Sequence, residues 1–149
     1  MLSEPLFLYG AVVLNFKSAA LTSDLVKQLT LVNNSLLLKV YVVDNSCCEN
    51  EWAALQSLLL DCSPVELIKS ESNEGYGAGN RIGVQKAVED GCRGVLISNP
   101  DVGICDRDFF IRFNYELEKS NWLQDRPLMA APMVVNPFLK SEENPIYFP

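Results

Sequence analysis

The chain has 149 residues, 48% of them hydrophobic and 21% charged, and a formal net charge of −7. That is enough chain and enough apolar material for one globular domain with its own core, and it excludes a disordered or collagen-like protein. The acidic balance, with no basic cluster, excludes a partner held through a nucleic-acid phosphate backbone and leaves no surface-wide pull toward anionic lipid.

The start, Met1-Leu2-Ser3-Glu4-Pro5, has no basic n-region, and the apolar stretch after it is too short to span a bilayer. The expectation is a cytoplasmic chain with no transmembrane segment. Leu6 to Leu14 is apolar without alternation, as in a strand buried on both faces of a parallel sheet, and it ends at Asn15. From Thr22, suited to an N-cap, Leu25, Leu29 and Val32 recur at helical spacing, and Asn33-Asn34 supplies the stop. Val40 to Val43 is a second strand with Asp44-Asn45-Ser46 at its tip. Glu51 to Leu60 predicts a helix presenting Trp52, Leu55 and Leu59 on one face, ended before Ser63-Pro64.

Val65 to Ile68 makes a short third strand. Asn80 to Asp90 predicts a third helix that packs Val84, Ala87 and Val88, with Gly91 just past its end. Gly94 to Ser98 is a fourth strand, and Phe109 to Lys119 a fourth helix turning Phe109, Phe113 and Leu117 inward after the acidic start Asp106-Arg107-Asp108. Leu128 to Val135 is a fifth apolar run, interrupted by Pro132. Strands alternating with helices at this spacing imply right-handed crossovers and an α/β fold, a mostly parallel sheet with helices on both faces. The expected domain covers residues 1–135; residues 136–149, with three prolines and no periodic pattern, read as a tail leading into a missing part. The cysteines, Cys47, Cys48, Cys62, Cys92 and Cys105, lack paired zinc spacing and there is no histidine to complete a mixed site, so they read as reduced thiols packing as small hydrophobes.

Asn73-Glu74-Gly75-Tyr76-Gly77-Ala78-Gly79-Asn80 is the most unusual stretch. Glycines at alternate positions each cost backbone entropy, so the segment is expected to be a loop that approaches a ligand closely. Asp44 and Asn99-Pro100-Asp101 stand at carboxyl ends of strands, where open α/β sheets place ligand-handling groups. The Walker pattern is absent, and the dinucleotide fingerprint would need its glycines after the first strand rather than the third. A carboxylate with few basic residues near it can hold a divalent cation, and that cation can neutralise a diphosphate, so a nucleoside diphosphate is a chemically reasonable ligand. Asp44 can accept hydrogen bonds from a base or ribose. Blander readings stay open: both polar tips also suit plain turns, Tyr76 can lie against its own loop, and Arg81 can sit on a solvated helix face.

Three blocks in order, Tyr41-Val42-Val43-Asp44-Asn45-Ser46, then Asn73 to Gly83, then Ile97-Ser98-Asn99-Pro100-Asp101-Val102, with Val12-Val13-Leu14-Asn15-Phe16 ahead of them, resemble the family-two glycosyltransferases, especially the rhamnosyltransferase-like branch. The resemblance covers nearly the whole chain, as the N-terminal donor-binding part. It implies a GT-A fold, Rossmann-like, and inverting transfer of a sugar from a UDP- or dTDP-sugar to a glycan or lipid-linked acceptor in cell-surface polysaccharide synthesis. It implies donor contacts from Asn15, Asp44, Asn73, Gly75, Tyr76, Gly77, Gly79, Asn80, Asn99 and Asp101, with Asp44 on the base or ribose. Asn99-Pro100-Asp101 would match the Asp-x-Asp motif, leaving Asp101 as the ligand of Mg²⁺ or Mn²⁺, since Asn99 offers a neutral amide. A place against the inner face of the membrane is compatible with it. The resemblance puts the catalytic base beyond Pro149, which keeps a second reading open: a truncated, inactive nucleotide-sugar-binding or interaction module.

Overall fold

A computed structural model of the chain describes residues 8–32, 36–119, 134–136 and 141–143. The chain divides into two compact units, Met1–Phe110 and Ile111–Pro149. In the first, the strands β1 (Tyr9–Asn15), β2 (Leu37–Asp44), β3 (Val65–Lys69) and β4 (Gly94–Ser98) form one parallel sheet in the order β3-β2-β1-β4. The helices between them are α1 (Ala19–Leu31), α2 (Glu49–Leu58) and α3 (Tyr76–Glu89). Two crossovers step outward from β1 to β2 to β3, and the third carries the chain back over both strands to β4. Right-handed crossovers that reverse direction put α1 and α2 on one face and α3 on the other, and α1 indeed packs against α2 while α3 lies on β1 and β2. The strand order therefore reverses between β1 and β4, the position at which such sheets open a crevice beyond their carboxyl ends.

The uninterrupted apolar runs are explained by this layering. Every residue of β1 is buried, as are Val40 to Asp44 in β2, because helices cover both faces of the two central strands. Burying each of Val12, Val13, Val40, Val42 and Val43 stabilises the fold by about 1.5–3 kcal/mol. The outer strands β3 and β4 are only half-buried.

Helix boundaries depart from the sequence expectation in instructive ways. α1 begins at Ala19, not Thr22; Thr22 is buried and its hydroxyl is spent on Asn15 rather than on a cap. α3 begins at Tyr76, so Gly77, Gly79 and Asn80 belong to a helix and not to an open loop. Packing accounts for two of its glycines: a Cβ on Gly79 would stand 2.5 Å from Leu14 Cδ1, and one on Gly83 would stand 2.6 Å from Val12 Cγ1. One turn apart on the same face, they let α3 approach β1 closely.

At the far end of α3 a charged cluster ties helix to sheet. Asp90 accepts hydrogen bonds from Lys39 Nζ (2.8 Å), Tyr41 Oη (2.9 Å) and Lys86 Nζ (3.0 Å), and Lys39 also pairs with Glu66 at 2.8 Å. Hydrogen bonding from Lys39, then Lys86 and Tyr41, holds the Asp90 carboxyl well below the ordinary carboxylate range. Burial, and then the bond to Asp90, pushes the Tyr41 phenol far up.

The helix α4 (Phe109–Lys119) matches its expected bounds, but its inward aromatic is Phe110, 1% exposed and 5.6 Å from the Tyr9 ring, while Phe109 and Phe113 are half-buried. In the loop ahead of it, Ile104 N–H donates to Gln28 Oε1 at 2.8 Å. The side chain of Leu117 lies outside the described residues. Trp52, expected in the core, is half-buried with Lys69 Nζ 5.7 Å above its ring. In the second unit, β5 (Val134–Asn136) pairs antiparallel with β6 (Ser141–Glu143), a strand the sequence did not reveal. Residues 128–133 of the expected apolar run, and the rest of the tail, lie outside the described residues. All of the cysteines are free thiols, with Cys47 exposed and Cys92 buried.

Candidate functional site

Parallel pairing sets the site. Asn15 and Asp44 are register partners at the ends of β1 and β2, and Val13 partners Ser98 at the end of β4. Every chemically distinctive block thus leaves the sheet at one edge.

Asn15 is fully buried, and its amide organises the tips of β1 and β2. Its Nδ2 lies 3.0 Å from Asp44 Oδ1, 3.1 Å from Glu51 Oε1 and 3.2 Å from Ser46 Oγ. Its Oδ1 accepts from Thr22 Oγ1 at 2.8 Å and Ser18 Oγ at 3.3 Å. Neutral amides carry two N–H donors and one carbonyl oxygen, so the protein itself uses the full capacity of this side chain. Asp44 is 1% exposed, not the exposed polar tip that a strand end suggests. Its Oδ1 also accepts the Ser46 N–H at 3.1 Å, whereas Oδ2 is buried with no hydrogen-bond partner among the described residues. Two left-handed residues flank the pair, Lys17 (φ 52°) and Cys47 (φ 51°), a costly backbone choice for side chains of this kind. Lys17 N–H donates to Ser46 Oγ at 2.8 Å and so fastens the turn after β1 to the turn after β2.

The segment after β3 docks on the same edge from the other face. Successive residues of an extended chain point to opposite sides, so Asn45 turns toward α3 where Asp44 turns toward α1. Asn45 Nδ2 donates to Asn73 Oδ1 at 2.8 Å, and Asn73 Oδ1 also accepts the Gly75 N–H at 3.0 Å, closing an Asx turn. Gly75 then takes φ 91°, open to glycine at no steric cost, and α3 starts. Its first turn has neither an acidic residue nor a side-chain cap. Tyr76 is 56% exposed, and a Cβ on Gly77 would meet nothing within 4 Å, so this part of the turn faces solvent. Asn80 is buried, donating to Tyr76 O at 3.1 Å.

Beyond β4, Val102 N–H bonds Asn99 O at 3.3 Å, which makes Asn99-Pro100-Asp101-Val102 a turn with exposed Asn99 and Asp101 side chains. Among the described residues no group of three or more His, Cys, Asp or Glu is placed to hold a metal. To a Mg²⁺ or Mn²⁺ ion Asp101 would offer only its own carboxylate, and the remaining ligands would have to come from a diphosphate and water. Two hollows, of about 250 and 410 Å³, lie on the β3 side: one between Lys69, Ser72 and Arg81, the other between Cys47, Glu49 and Glu71. Neither reaches Asn99 or Asp101, so the hollows and the strand-order reversal mark opposite flanks of the edge. Arg81 is exposed, as a solvated helix position predicts.

Sequence reasoning missed Asn45 and Glu51. Asn45 was discoverable from the alternation that sends it to the α3 side. Glu51 belongs to α2, which runs from Glu49 instead of Glu51. Nothing in helical periodicity tells that its carboxylate reaches back to Asn15 and α1.

No protein-family model matches the chain, and no curated protein matches it. Solved structures do. S. aureus TarS, residues 1–349, superposes with a TM-score of 0.58 at 15% identity, over 90% of this chain and 43% of that one. The same TarS fragment in complex with UDP gives 0.60 at 14% identity over 76% and 33%. Mannosyltransferase PcManGT from Pyrobaculum calidifontis, in complex with GDP-Man and Mn²⁺, gives 0.61 at 18% identity over 87% and 36%. These neighbours are GT-A-type glycosyltransferases, and the chain has their fold: mixed α/β with an all-parallel four-stranded sheet flanked by helices. It spans less than half the length of each. No helix among the described residues is long and apolar enough to cross a membrane.

Proposed function

We propose that the chain is the donor-binding part of an inverting glycosyltransferase of family two, in its rhamnosyltransferase-like branch, and that it holds a nucleoside-diphosphate sugar across the carboxyl ends of β1, β2 and β4. The observation that carries this is the convergence of Asn15-Asp44, the Asn73–Asn80 segment and Asn99-Pro100-Asp101 on one edge of a GT-A fold. Asp44 supplies the acceptor for the base or ribose, through the oxygen that the protein leaves without a donor. The exposed first turn of α3, without an acid of its own, suits the sugar or phosphates, because its free N–H groups and dipole favour negative charge. Asp101 would hold Mg²⁺ or Mn²⁺ against the diphosphate; the cation, when bound, neutralises the leaving group's charge. GDP-Man with Mn²⁺ and UDP in the two neighbours support this ligand class. The acceptor, a glycan or lipid-linked sugar, would be met by parts of the protein outside the donor site, on the cytoplasmic side of a membrane.

Calorimetric titration of the 149-residue chain with UDP-, dTDP- and GDP-linked sugars, with and without Mn²⁺, tests the reading. Binding of at least one, strengthened by Mn²⁺, is expected; no binding of any diphosphate nucleotide overturns it. The lone carboxylate of Asn99-Pro100-Asp101 favours one alternative, a module that binds nucleotide sugars without turning them over, and donor hydrolysis or transfer by this chain would exclude that alternative.

A further inference from the structure

Glu51 makes contacts that its place on α2 does not call for. Its Oε1 accepts the Ala19 N–H at 2.7 Å, across 32 residues of sequence, and stands 3.1 Å from Asn15 Nδ2. Ala19 is the first residue of α1, and Ser18, the residue before it, makes no side-chain capping bond. A helix needs acceptors for its first N–H groups, and here one comes from a neighbouring helix. The Asn15 amide is the second link. It has two hydrogens and three acceptors in reach, and Ser46 Oγ already accepts from Lys17 N–H. Ser46 Oγ is also the most distant of the three, so the Asn15 hydrogens go to Asp44 Oδ1 and Glu51 Oε1. With Oδ1 filled by Thr22 and Ser18, the Asn15 side chain can neither rotate nor flip without losing bonds on both ends.

We propose that Glu51 is a positioning residue of the nucleotide site: it fixes the Asn15 amide, and through it the Asp44 carboxylate, so that Asp44 Oδ2 stays free to receive a donor group of the base or ribose. This rests on the donor-binding reading above. Glu51 itself stays on the α2 side of Asn15 and touches no ligand. Its work is geometric: it holds one Asn15 hydrogen, and with it the plane of the amide whose other hydrogen meets Asp44 Oδ1, and it holds the turn Phe16-Lys17-Ser18 through the start of α1.

Because the role needs an acceptor oxygen and not a charge, Glu51→Gln keeps it and Glu51→Ala removes it. The test is a double-mutant cycle on the 149-residue chain, reading the affinity of UDP and GDP by calorimetry for the wild type, Glu51→Ala, Glu51→Gln, Asp44→Asn and Asp44→Asn/Glu51→Ala. Loss of one well-placed hydrogen bond to the ligand corresponds to roughly tenfold in affinity. Glu51→Ala is expected to weaken binding by about that factor in the wild type and by less than about twofold once Asp44 is Asn, with Glu51→Gln restoring wild-type affinity. Equal losses in both backgrounds, or no loss in either, overturn the proposal. A second readout needs no ligand: the Asn15 side-chain amide proton bonded to Glu51, followed by nuclear magnetic resonance, should exchange slowly in the wild type and in Glu51→Gln and faster in Glu51→Ala, while the proton bonded to Asp44 Oδ1 stays protected in all of them. If the wild type binds no nucleotide while this protection pattern holds, the donor reading has failed and the clamp stands. If protection is the same in Glu51→Ala, the clamp itself is wrong.

Discussion

Asn15 and Asp44 face each other as the last paired residues of β1 and β2, and the Asn15 amide donates a 3.0 Å hydrogen bond to the Asp44 carboxylate. Both side chains are buried, so the polar edge of the sheet is not a fringe of solvated loops but an extension of the core. The same contact that shapes a candidate ligand site therefore also holds two strand ends and two helices together. Substitutions there will report on stability and on binding at once, and the two must be separated.

Asp44→Ala should be costly to the fold. It strands the Ser46 N–H that now bonds Asp44 Oδ1 and takes from the Asn15 amide its shortest donated bond, and unsatisfied buried donors cost on the order of 1–3 kcal/mol each. A loss of about 3 kcal/mol is expected in urea unfolding, against no more than about 0.5 kcal/mol for Asp101→Ala in its exposed turn. Equal midpoints for the two variants would show that the Asn15-Asp44 bond carries no stability.

The glycines of α3 separate packing from exposure. Gly79→Ala would bring a methyl to 2.5 Å from Leu14 Cδ1, so the buried Leu14 side chain must shift, at a cost on the order of 1 kcal/mol. Gly77→Ala meets nothing within 4 Å on a helical backbone and should stabilise by about 0.5 kcal/mol through lost unfolded-state entropy. Thermal unfolding of both variants measures the contrast, and a destabilised Gly77→Ala with intact Gly79→Ala would reverse the assignment. If Gly77 faces bound donor, the same Gly77→Ala protein should be more stable and yet bind nucleotide less well.

What the sequence disclosed follows from this division. The two central strands were legible because helices on both faces demand continuous apolar runs, and Val12-Val13 and Val40 to Val43 supply them. The start of α3 was not legible. Gly75, Gly77 and Gly79 look alike in sequence, but one supplies a positive φ, one lies open on a helix, and one makes room for Leu14. That distinction exists only once β1 lies beneath the helix. The burial of Asp44 was hidden for the same reason, since nothing local says that Asn15, 29 residues earlier, will stand opposite to satisfy it. Phe110 is buried in place of Phe109 because it is the ring that meets Tyr9, 5.6 Å away, a contact that the i, i+4 spacing cannot foretell.

Acid should loosen the opposite end of the sheet. The Asp90 carboxyl is held below its ordinary value of 3.8 by bonds from Lys39, Lys86 and Tyr41. A group with a depressed folded pKa contributes stability that is present above the unfolded pKa and lost as pH falls through the folded one. The wild type should therefore lose stability progressively below pH 3.8, and Asp90→Asn should lack this limb while being less stable than the wild type at pH 7. Denaturant midpoints of both proteins between pH 7 and pH 2 provide the check; parallel curves would remove Asp90 from the account.

The metal assignment yields the crossed experiment that best separates the two acidic residues. Asp101 is exposed in a turn and belongs to no group of three or more His, Cys, Asp or Glu among the described residues, so its share in cation binding would depend on the donor's phosphates arriving together with the ion. Asp101→Asn preserves size and turn geometry and removes the charged oxygen. It should leave metal-free nucleotide binding unchanged and abolish most of the Mn²⁺ enhancement, a change of roughly tenfold or more in diphosphate affinity, about 1.4 kcal/mol. Asp44→Asn should behave in the opposite way: its contact is with base or ribose, so nucleoside, monophosphate and diphosphate should all weaken together, and the Mn²⁺ enhancement of whatever binding remains should keep its wild-type size. Calorimetric titrations of uridine, UMP and UDP, and of the guanosine series, with and without Mn²⁺ give every arm of the comparison. A full Mn²⁺ enhancement in Asp101→Asn would return Asn99-Pro100-Asp101 to the status of a turn, because the hydrogen bond from Val102 to Asn99 needs no metal to explain it.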